Sequence, residues 1–429
     1  MNSITITVTN QAAEPFFIIK NDALGTPCAV PVLPSPQATG WTQAALLLAT
    51  PAQAQALLGE HAPRSAPELA TALRQRGVGS VLILGQSQAP DVALRGDDWM
   101  DTPHASGWLS RPATPSAVDT SATVTEAERL AHTAAQALAH GFVAADALVL
   151  ARMLTASGQG WPQPWPATDA PALGLNIAHL PRLSLPGHAL PTPPLFPPLP
   201  VLDDNQRTLG LYPVVDSADW VECVLAAGVR TVQLRIKDPA QPDLRQHIRR
   251  SVAAARAASA QLYINDHWEL AMEEGAFGVH LGQEDLGTAG MQDGLQAMAR
   301  AGLHLGLSTH SLWEVSRAWA LRPSYIACGP IHATTTKEMP WRPQGNGNLA
   351  FWSHLLPVPV VGIAGMDAAR LAEAVRHGAA GVALITAITA APDPEAAIRQ
   401  LQQAWVAGAG APPAAPPPLP RSTLSTLPT

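Results

Sequence analysis

The chain has 429 residues, 47% of them hydrophobic, so it is long enough for two or three domains that each bury a core. Its net charge of -7, with only 26 lysines and arginines, excludes a broad nucleic-acid-binding surface, although a few converging cations could hold a small anion. Three separated cysteines, Cys28, Cys223 and Cys328, indicate neither a disulfide framework nor a zinc site.

Composition divides the chain into four segments. Residues 1–157 are predicted to form a small α/β domain, and residues 205–409 a larger one. Between them, residues 158–204 are predicted to be an extended linker, because 12 prolines occur between residues 161 and 200. The proline-rich end of the chain, 410–429, is predicted to be disordered. A reduced, cytoplasmic protein without a membrane contact is expected, since no secretory signal or long apolar run occurs.

The larger domain shows a repeated pattern of short apolar strands followed by helical segments. Eight such units favour a closed (β/α)8 TIM barrel, with an open α/β sheet as the alternative. The predicted strands are residues 209–216, 231–237, 261–266, 278–282, 304–310, 324–330, 358–365 and 381–388.

Polar side chains occur where these strands end, which in a barrel is the face that carries the active site. Three of them are the cations Arg235, Lys237 and Lys337, a set suited to a phosphate or diphosphate. Asp266 and Asp285 follow neighbouring strands and could hold Mg²⁺ through one or two carboxylates, with diphosphate oxygens and water completing the shell. Together they predict a metal-diphosphate site.

The ends of the last two strands predict a second phosphate site. They read Gly362-Ile-Ala-Gly365 and Leu384-Ile-Thr-Ala387, at positions where barrels often bind phosphate with backbone N–H groups. Two phosphate sites indicate two phosphorylated small-molecule substrates. The histidines His267, His280, His310 and His332 lack a metal-ligand spacing and are interpreted as packing or capping residues.

The ordered motifs of this domain resemble those of the thiamine phosphate synthase family over residues 209–408. The motifs are Gln233-Leu-Arg-Ile-Lys237, Ile264-Asn-Asp266, Gly278-Val-His-Leu-Gly-Gln-Glu-Asp285, Gly306-Leu-Ser-Thr-His310 and Gly329-Pro-Ile-His-Ala-Thr-Thr-Thr-Lys337. The resemblance implies a transferase of thiamine biosynthesis that joins hydroxymethylpyrimidine diphosphate to a thiazole phosphate and releases diphosphate. It implies a dissociative substitution in which diphosphate leaves first.

The resemblance also implies a role for each matched residue. Arg235, Lys237 and Lys337 would act in catalysis, and Asp266 and Asp285 would bind Mg²⁺. The pyrimidine diphosphate would contact Gln233, Arg235, Lys237, Asn265, Ser308 and Lys337. The thiazole phosphate would contact Thr334, Thr335, Thr336, Gly365, Ile385 and Thr386. Two positions depart from the family pattern: Ala364 stands in place of a glycine and Thr386 in place of a serine.

Residues 44–87 and 127–154 resemble the carboxy-terminal part of hydroxymethylpyrimidine phosphate kinase, a ribokinase-like enzyme. Where that family has a Gly-Thr-Gly-Cys anion hole, this chain has Thr125-Glu126-Ala127-Glu128, whose carboxylates would repel a transferring phosphate. The region is therefore interpreted as a degenerate kinase remnant fused to the barrel.

Three other functions stay open at this stage. A sensor would bind thiamine precursors without turnover, a thiazole tautomerase would use the same barrel, and a bifunctional kinase-synthase would need the missing anion hole. The diphosphate cations and paired aspartates favour the synthase over the tautomerase. Homo-oligomerisation is also left open.

Overall fold

The computed structural model describes residues 16–22, 25–32, 40–59, 64–85, 96–112, 125–162, 173–190, 196–199, 209–334 and 340–424. These residues form a layered amino-terminal region and a carboxy-terminal barrel. None of the helices in these ranges has the length and apolarity that a bilayer span requires.

The amino-terminal region is built on a six-stranded sheet with the order β2-β1-β3-β4-β5-β6. Only β3 and β4 pair in parallel, and the other neighbours are antiparallel. The strands are β1 (Phe16–Asn21), β2 (Pro27–Val32), β3 (Leu46–Ala49), β4 (Val81–Ile83), β5 (Asp98–Asp101) and β6 (Ser106–Leu109).

Helices cover both faces of this sheet, because alternate strand residues point to opposite sides and both sets are apolar. Phe16 and Leu47 pack on one side with α1 and α2, whereas Phe17 and Leu46 pack on the other with α3 and α4. The helices are α1 (Pro51–Leu58), α2 (Ala66–Gln75), α3 (Glu126–Ala139) and α4 (Ala144–Ser157). The region is thus a three-layer α/β unit.

The carboxy-terminal domain is a closed barrel of eight parallel strands, which confirms the predicted fold class and removes the open-sheet alternative. Its last strand pairs with its first, Leu384 lying opposite Pro213. The strands are β7 (Gly210–Val215), β8 (Thr231–Leu234), β9 (Gln261–Asn265), β10 (Gly278–Leu281), β11 (His304–Thr309), β12 (Tyr325–Cys328), β13 (Val360–Ile363) and β14 (Gly381–Leu384).

Helices surround the barrel, and their buried apolar side chains belong to the same core as the strands. They are α5 (Ala218–Ala226), α6 (Leu244–Ala257), α7 (Trp268–Glu274), α8 (Gln283–Leu286), α9 (Met291–Arg300), α10 (Leu312–Ala320), α11 (Gly345–Leu355), α12 (Ala368–Arg376), α13 (Thr386–Thr389) and α14 (Pro394–Gly410).

Aromatic rings fill the interior of the barrel. Tyr212, Tyr263 and Tyr325 meet edge to face or tilted, with ring centroids 5.0–5.8 Å apart. Gly306 makes room for this cluster, because a Cβ there would lie 2.1 Å from the ring of Tyr325. The interior is therefore packed, and ligands are expected only at the strand ends.

The proline-rich segment, which its composition predicts to be an extended linker, is in contact with the rest of the chain. Its described residues, 173–190 and 196–199, pack against both halves of the chain. The Ser184 amide donates to the carbonyl of Trp108 at 2.9 Å, and the Ser324 hydroxyl donates to the carbonyl of Pro197 at 2.7 Å. Leu183 and Leu199 are buried. Proline prevents regular structure here, but the leucines between the prolines still bury apolar surface.

The predicted disorder of the tail is wrong for residues 411–424, which lie along the barrel. The Arg421 amide donates to Oδ1 of Asn348 at 2.8 Å, and the Ser422 hydroxyl donates to the carbonyl of Gly141 at 3.0 Å. Leu419 is buried. Leu419, its buried neighbours Pro418 and Pro420, and several hydrogen bonds fix a segment whose composition alone indicates no fold. Residues 425–429 lie outside the described residues.

The two halves share one apolar core. Side chains of α4 pack against α10 of the barrel, and buried residues of both regions belong to the same cluster, among them Leu148 and Trp313. The amino-terminal region is consequently docked on the side of the barrel that carries β11 and α10.

Candidate active site

A cavity of about 510 Å³ opens at the carboxyl ends of the barrel strands. Ten residues that the sequence predicts for the site line it. They are Gln233, Arg235, Lys237, Asn265, Asp266, Ser308, Thr334, Gly365, Ile385 and Thr386. These ten residues come from six strands or the loops after them, namely β8, β9, β11, β12, β13 and β14, while Tyr212 of β7 and His280 of β10 also line the cavity.

Four predicted residues are not part of this wall. Thr335, Thr336 and Lys337 lie outside the described residues. Asp285 does not line the cavity, and its Oδ2 accepts a hydrogen bond from the Gly282 amide at 2.7 Å. The roles of all these residues stay predictions.

Two cations line the cavity with no protein counter-ion. Arg235 is half-buried and Lys237 is exposed, and neither side chain forms an ion pair with another residue in the part of the chain that the structure describes. Both follow β8, so Ile236, which lies between them, points away from the cavity and is buried. Uncompensated cations in a concave site favour an anionic ligand.

The carboxyl groups of Asp266 and Asp285 lie within hydrogen-bonding contact of each other. Burial raises the pKa of Asp285, the Gly282 amide opposes this, and the negative charges of Asp266 and Glu284 raise it again. Asp266 also adopts a φ of 64°, an uncommon conformation for a side chain other than glycine. Two carboxylates this close repel each other unless a proton or a cation neutralises them.

The opposite wall consists of backbone turns after β13 and β14. Ala364 and Gly365 both have positive φ, 83° and 66°. Glycine is required at 365, because a Cβ there would lie 2.7 Å from the carbonyl oxygen of Ala333. Ile385 and Thr386 follow β14 and complete this wall. Backbone, and not charged side chains, dominates this end of the cavity.

A buried hydrogen-bond chain under the cavity includes residues that the sequence analysis missed. Nε2 of Gln233 donates to the Tyr212 hydroxyl at 3.2 Å, which lies 2.7 Å from the Tyr325 hydroxyl. His280 then joins Tyr325 and Ser308, with Nδ1 2.6 Å from the Tyr325 hydroxyl and Nε2 2.8 Å from Ser308 Oγ. The chain links two predicted ligand-binding residues, Gln233 and Ser308, across the barrel.

His280 stays uncharged in this chain, because burial, and then the positive charge of Arg235, lower its pKa to about 3. A neutral imidazole has one donor and one acceptor nitrogen, so it can orient both hydroxyls at once. The alternation of Gly278-Val-His-Leu281 places His280 inside the barrel, a signal that could have identified it.

His310 is the second missed residue. It lines the cavity after β11, and its ring stacks on Trp341 with centroids 4.0 Å apart and planes at 15°. Nδ1 of His310 lies 2.8 Å from Oε2 of Glu314. This histidine therefore joins the cavity to α10.

Known proteins with similar sequences match this chain over the barrel. A family model described as thiamine monophosphate synthase matches residues 211–388. The thiamine-phosphate synthase of Rhizobium etli is 50% identical over 197 residues, which cover 46% of this chain and 93% of that protein. That of Neisseria meningitidis serogroup A is 47% identical over 198 residues, covering 46% and 95%. The chain belongs to the thiamine-phosphate synthase family.

Among solved structures, a thiamine phosphate pyrophosphorylase from Pyrococcus furiosus matches 47% of this chain and 98% of its own, with 25% sequence identity and a TM-score of 0.42. The curated relatives confirm the predicted family and transferase class for the barrel. The similarity to a kinase in the amino-terminal region stays a prediction.

Proposed function

We propose that the barrel condenses hydroxymethylpyrimidine diphosphate with a thiazole phosphate, giving thiamine phosphate and diphosphate. The observation that carries the proposal is the asymmetry of one cavity. Free cations and Asp266, whose carboxyl group contacts that of Asp285, line one wall, and glycine-containing backbone turns line the other. The first wall suits a metal-bound diphosphate and the second a phosphate monoester.

The paired carboxylates fit Mg²⁺. Asp266 and Asp285 would hold it, and the ion would remove the repulsion that raises the pKa of Asp285. Within the described ranges no three His, Cys, Asp or Glu side chains converge on one point, so diphosphate oxygens and water would complete the shell. The ion would supply charge neutralisation on the leaving diphosphate.

The proposed reaction is a dissociative substitution. Gln233, Asn265 and Ser308 would orient the pyrimidine diphosphate, while Arg235, Lys237 and Lys337 stabilise the negative charge that builds as the carbon–oxygen bond to diphosphate breaks. The thiazole nitrogen then donates its electron pair to the pyrimidine-stabilised cation. No protein nucleophile is needed, and positioning of the two rings supplies the rest of the rate.

The thiazole phosphate would lie against the second wall. Thr334, Thr335 and Thr336 would donate hydroxyl hydrogen bonds to it, and the turns at Gly365, Ile385 and Thr386 would offer backbone N–H groups. The conformation at 365 supports this arrangement, because its backbone approaches the 332–333 segment too closely for any side chain.

The test is thiamine phosphate formation by the purified full chain with both substrates and Mg²⁺. Asp266→Ala should reduce turnover at least about 100-fold, whereas Asp293→Ala, an exposed carboxylate on α9, should leave it unchanged. Tight binding of the pyrimidine diphosphate without turnover in the wild type would contradict the synthase and favour the sensor. Thiazole isomerisation without condensation would favour the tautomerase.

We further propose that residues 1–157 are a kinase-like remnant without phosphoryl transfer. At the beginning of α3 the Thr125 hydroxyl accepts a hydrogen bond from the Glu128 amide at 3.2 Å, and Glu126 forms ion pairs with Arg111 and Arg152. These contacts use the groups that a phosphate would need. Incubation with ATP and hydroxymethylpyrimidine phosphate should give no diphosphate product; its formation would overturn this assignment.

A further inference from the structure

The first turn of α10 receives its cap from the other half of the chain. Ser311 is the residue at the N-cap position, yet its side chain makes no capping hydrogen bond. The carboxyl group of Asp146, in α4, takes that place: the Trp313 amide donates to its Oδ1 at 2.9 Å, and the Leu312 amide donates to it as well. Asp146 is 1% exposed. A side chain of the amino-terminal region thus satisfies backbone donors of the barrel.

The same turn of α10 contacts His310, which lines the cavity. Glu314, 2% exposed, accepts two hydrogen bonds at Oε2 from His310, one from the backbone amide at 2.6 Å and one involving Nδ1 at 2.8 Å. Both bonds are to one residue, so they fix the backbone and the ring of His310 together. Any shift of the first turn of α10 therefore moves His310.

His310 in turn contacts the loop of residues 340–344, which precedes α11. Its ring stacks on Trp341, which is four residues after Lys337 in the sequence. Nearby, Nε2 of Gln344 donates to the carbonyl of Gly329 at 2.9 Å and ties the end of this loop to β12. Described contacts therefore run without a gap from Asp146 to the cavity wall.

We infer that Asp146 is a positioning residue for the synthase reaction: it holds α10 so that Glu314 fixes His310, which stacks on Trp341, at the wall that receives the pyrimidine diphosphate. This inference rests on the proposed function. It gives the amino-terminal region a part in substrate binding, although none of its described residues lines the cavity.

The chemistry of the contact indicates that Asp146 does more than hold the two regions together. Burial raises the pKa of Asp146 to about 7, the Trp313 amide opposes this, and the charge of Glu314 raises it further. A buried carboxyl group is an unfavourable choice for holding two surfaces together, since apolar residues of similar size pack there at lower cost. A carboxyl group adds directional hydrogen bonds, because its oxygens accept from two particular backbone amides.

Three variants of the full chain test the inference by steady-state kinetics. Asp146→Ala removes both acceptors and should raise KM for the pyrimidine diphosphate about 3- to 30-fold, with a smaller change in KM for the thiazole phosphate. Asp146→Asn keeps one acceptor oxygen and should restore most of the affinity. Ser311→Ala, at the unused N-cap, should behave as wild type.

A stability control separates positioning from general loosening. Asp98→Asn weakens a buried ion pair with Arg152 elsewhere in the amino-terminal region, so it should lower the unfolding midpoint without raising KM. An equal rise of KM in Asp98→Asn, or wild-type KM in Asp146→Ala, would overturn the inference.

A double-mutant cycle tests the route through Glu314. If Asp146 acts through Glu314, the rise in KM of the double variant Asp146→Ala/Glu314→Gln should be smaller than the product of the rises in the two single variants. A rise in KM of the double variant equal to that product would mean that the two residues act independently, and it would contradict the route. Calorimetric titration with pyrimidine diphosphate gives the same comparison without turnover. A wild type that binds but does not react would therefore refute the synthase while leaving the positioning role testable.

Discussion

Two arginine side chains, Arg152 of the amino-terminal region and Arg235 of the barrel, differ in whether a carboxylate of the protein pairs with them. In the amino-terminal region, Arg152 pairs with Asp98 and with Glu126, and Glu126 also pairs with Arg111. Burial raises the pKa of Glu126, but the two arginines outweigh it and lower the pKa overall. In the barrel, Arg235 lines an open cavity with no such partner among the described residues.

The difference shows how to distinguish a structural charge from a binding charge. Arg152 and Asp98 are 3% and 0% exposed, so each requires the other. Arg235 keeps contact with solvent and can remain charged until a ligand arrives. The presence of a charged residue alone therefore does not identify a binding site. Whether another side chain of the protein neutralises it is more informative.

The largest expected effect comes from breaking the buried pair. Arg152→Leu leaves Asp98 without a cation and should lower the free energy of unfolding of the amino-terminal region by about 3–5 kcal/mol. Urea denaturation measures it. Arg74→Leu is the matched control, because Arg74 pairs with Asp101 nearer the surface and should cost about 1 kcal/mol or less. Equal losses would mean that burial does not separate the two pairs.

Removing the open cation should affect catalysis and not stability. Arg235→Gln should lower kcat/KM about 100- to 1000-fold, because the leaving diphosphate loses a positive charge in its transition state. Unfolding in urea should be unchanged. Arg399→Gln, an exposed arginine on α14, should match wild type in both measurements. A stable, fully active Arg235→Gln would place the diphosphate elsewhere.

Strand positions could be predicted from the sequence because each strand combines an apolar run with a following helical period. All eight predicted barrel strands overlap observed strands, and the polar residues at their ends reach one cavity as the barrel rule requires. Local pattern decides such features, since a strand inside a parallel barrel is buried on both faces.

Features that depend on distant residues could not be predicted. Asp146 caps a helix 167 positions away, and nothing in its own helix distinguishes it from a solvent-facing aspartate. His280 and His310 have no spacing that marks them, because their partners Tyr325 and Glu314 act only in the folded barrel. The buried leucines of the proline-rich segment, such as Leu183, and the tail around Leu419 belong to the same class.

The contact between the two regions should respond to pH through Asp146. Its pKa is raised to about 7, so the folded protein binds this proton more tightly than the unfolded chain does. This contribution to stability is full below about pH 4 and is lost as pH rises through about 7; between pH 5.5 and 8 it should fall by about 2 kcal/mol. Urea titrations at several pH values measure the slope. Asp146→Asn should remove the part of this slope that is due to Asp146. An unchanged slope would assign the pH dependence to other groups.

The smallest expected effect concerns Ala364, where the resemblance to the family implies glycine. Its φ of 83° is unfavourable for alanine, and the turn lies on the proposed thiazole phosphate wall. Ala364→Gly should raise the free energy of unfolding by about 1 kcal/mol, because relief of strain exceeds the added backbone entropy of the unfolded chain. KM for the thiazole phosphate should fall about 2- to 5-fold as the backbone N–H groups approach the ligand. Ala333→Gly is the matched control: Ala333 lines the same cavity without positive φ, so glycine there should destabilise. If both variants lose stability and the thiazole KM stays unchanged, the turn at 364 is not a phosphate contact.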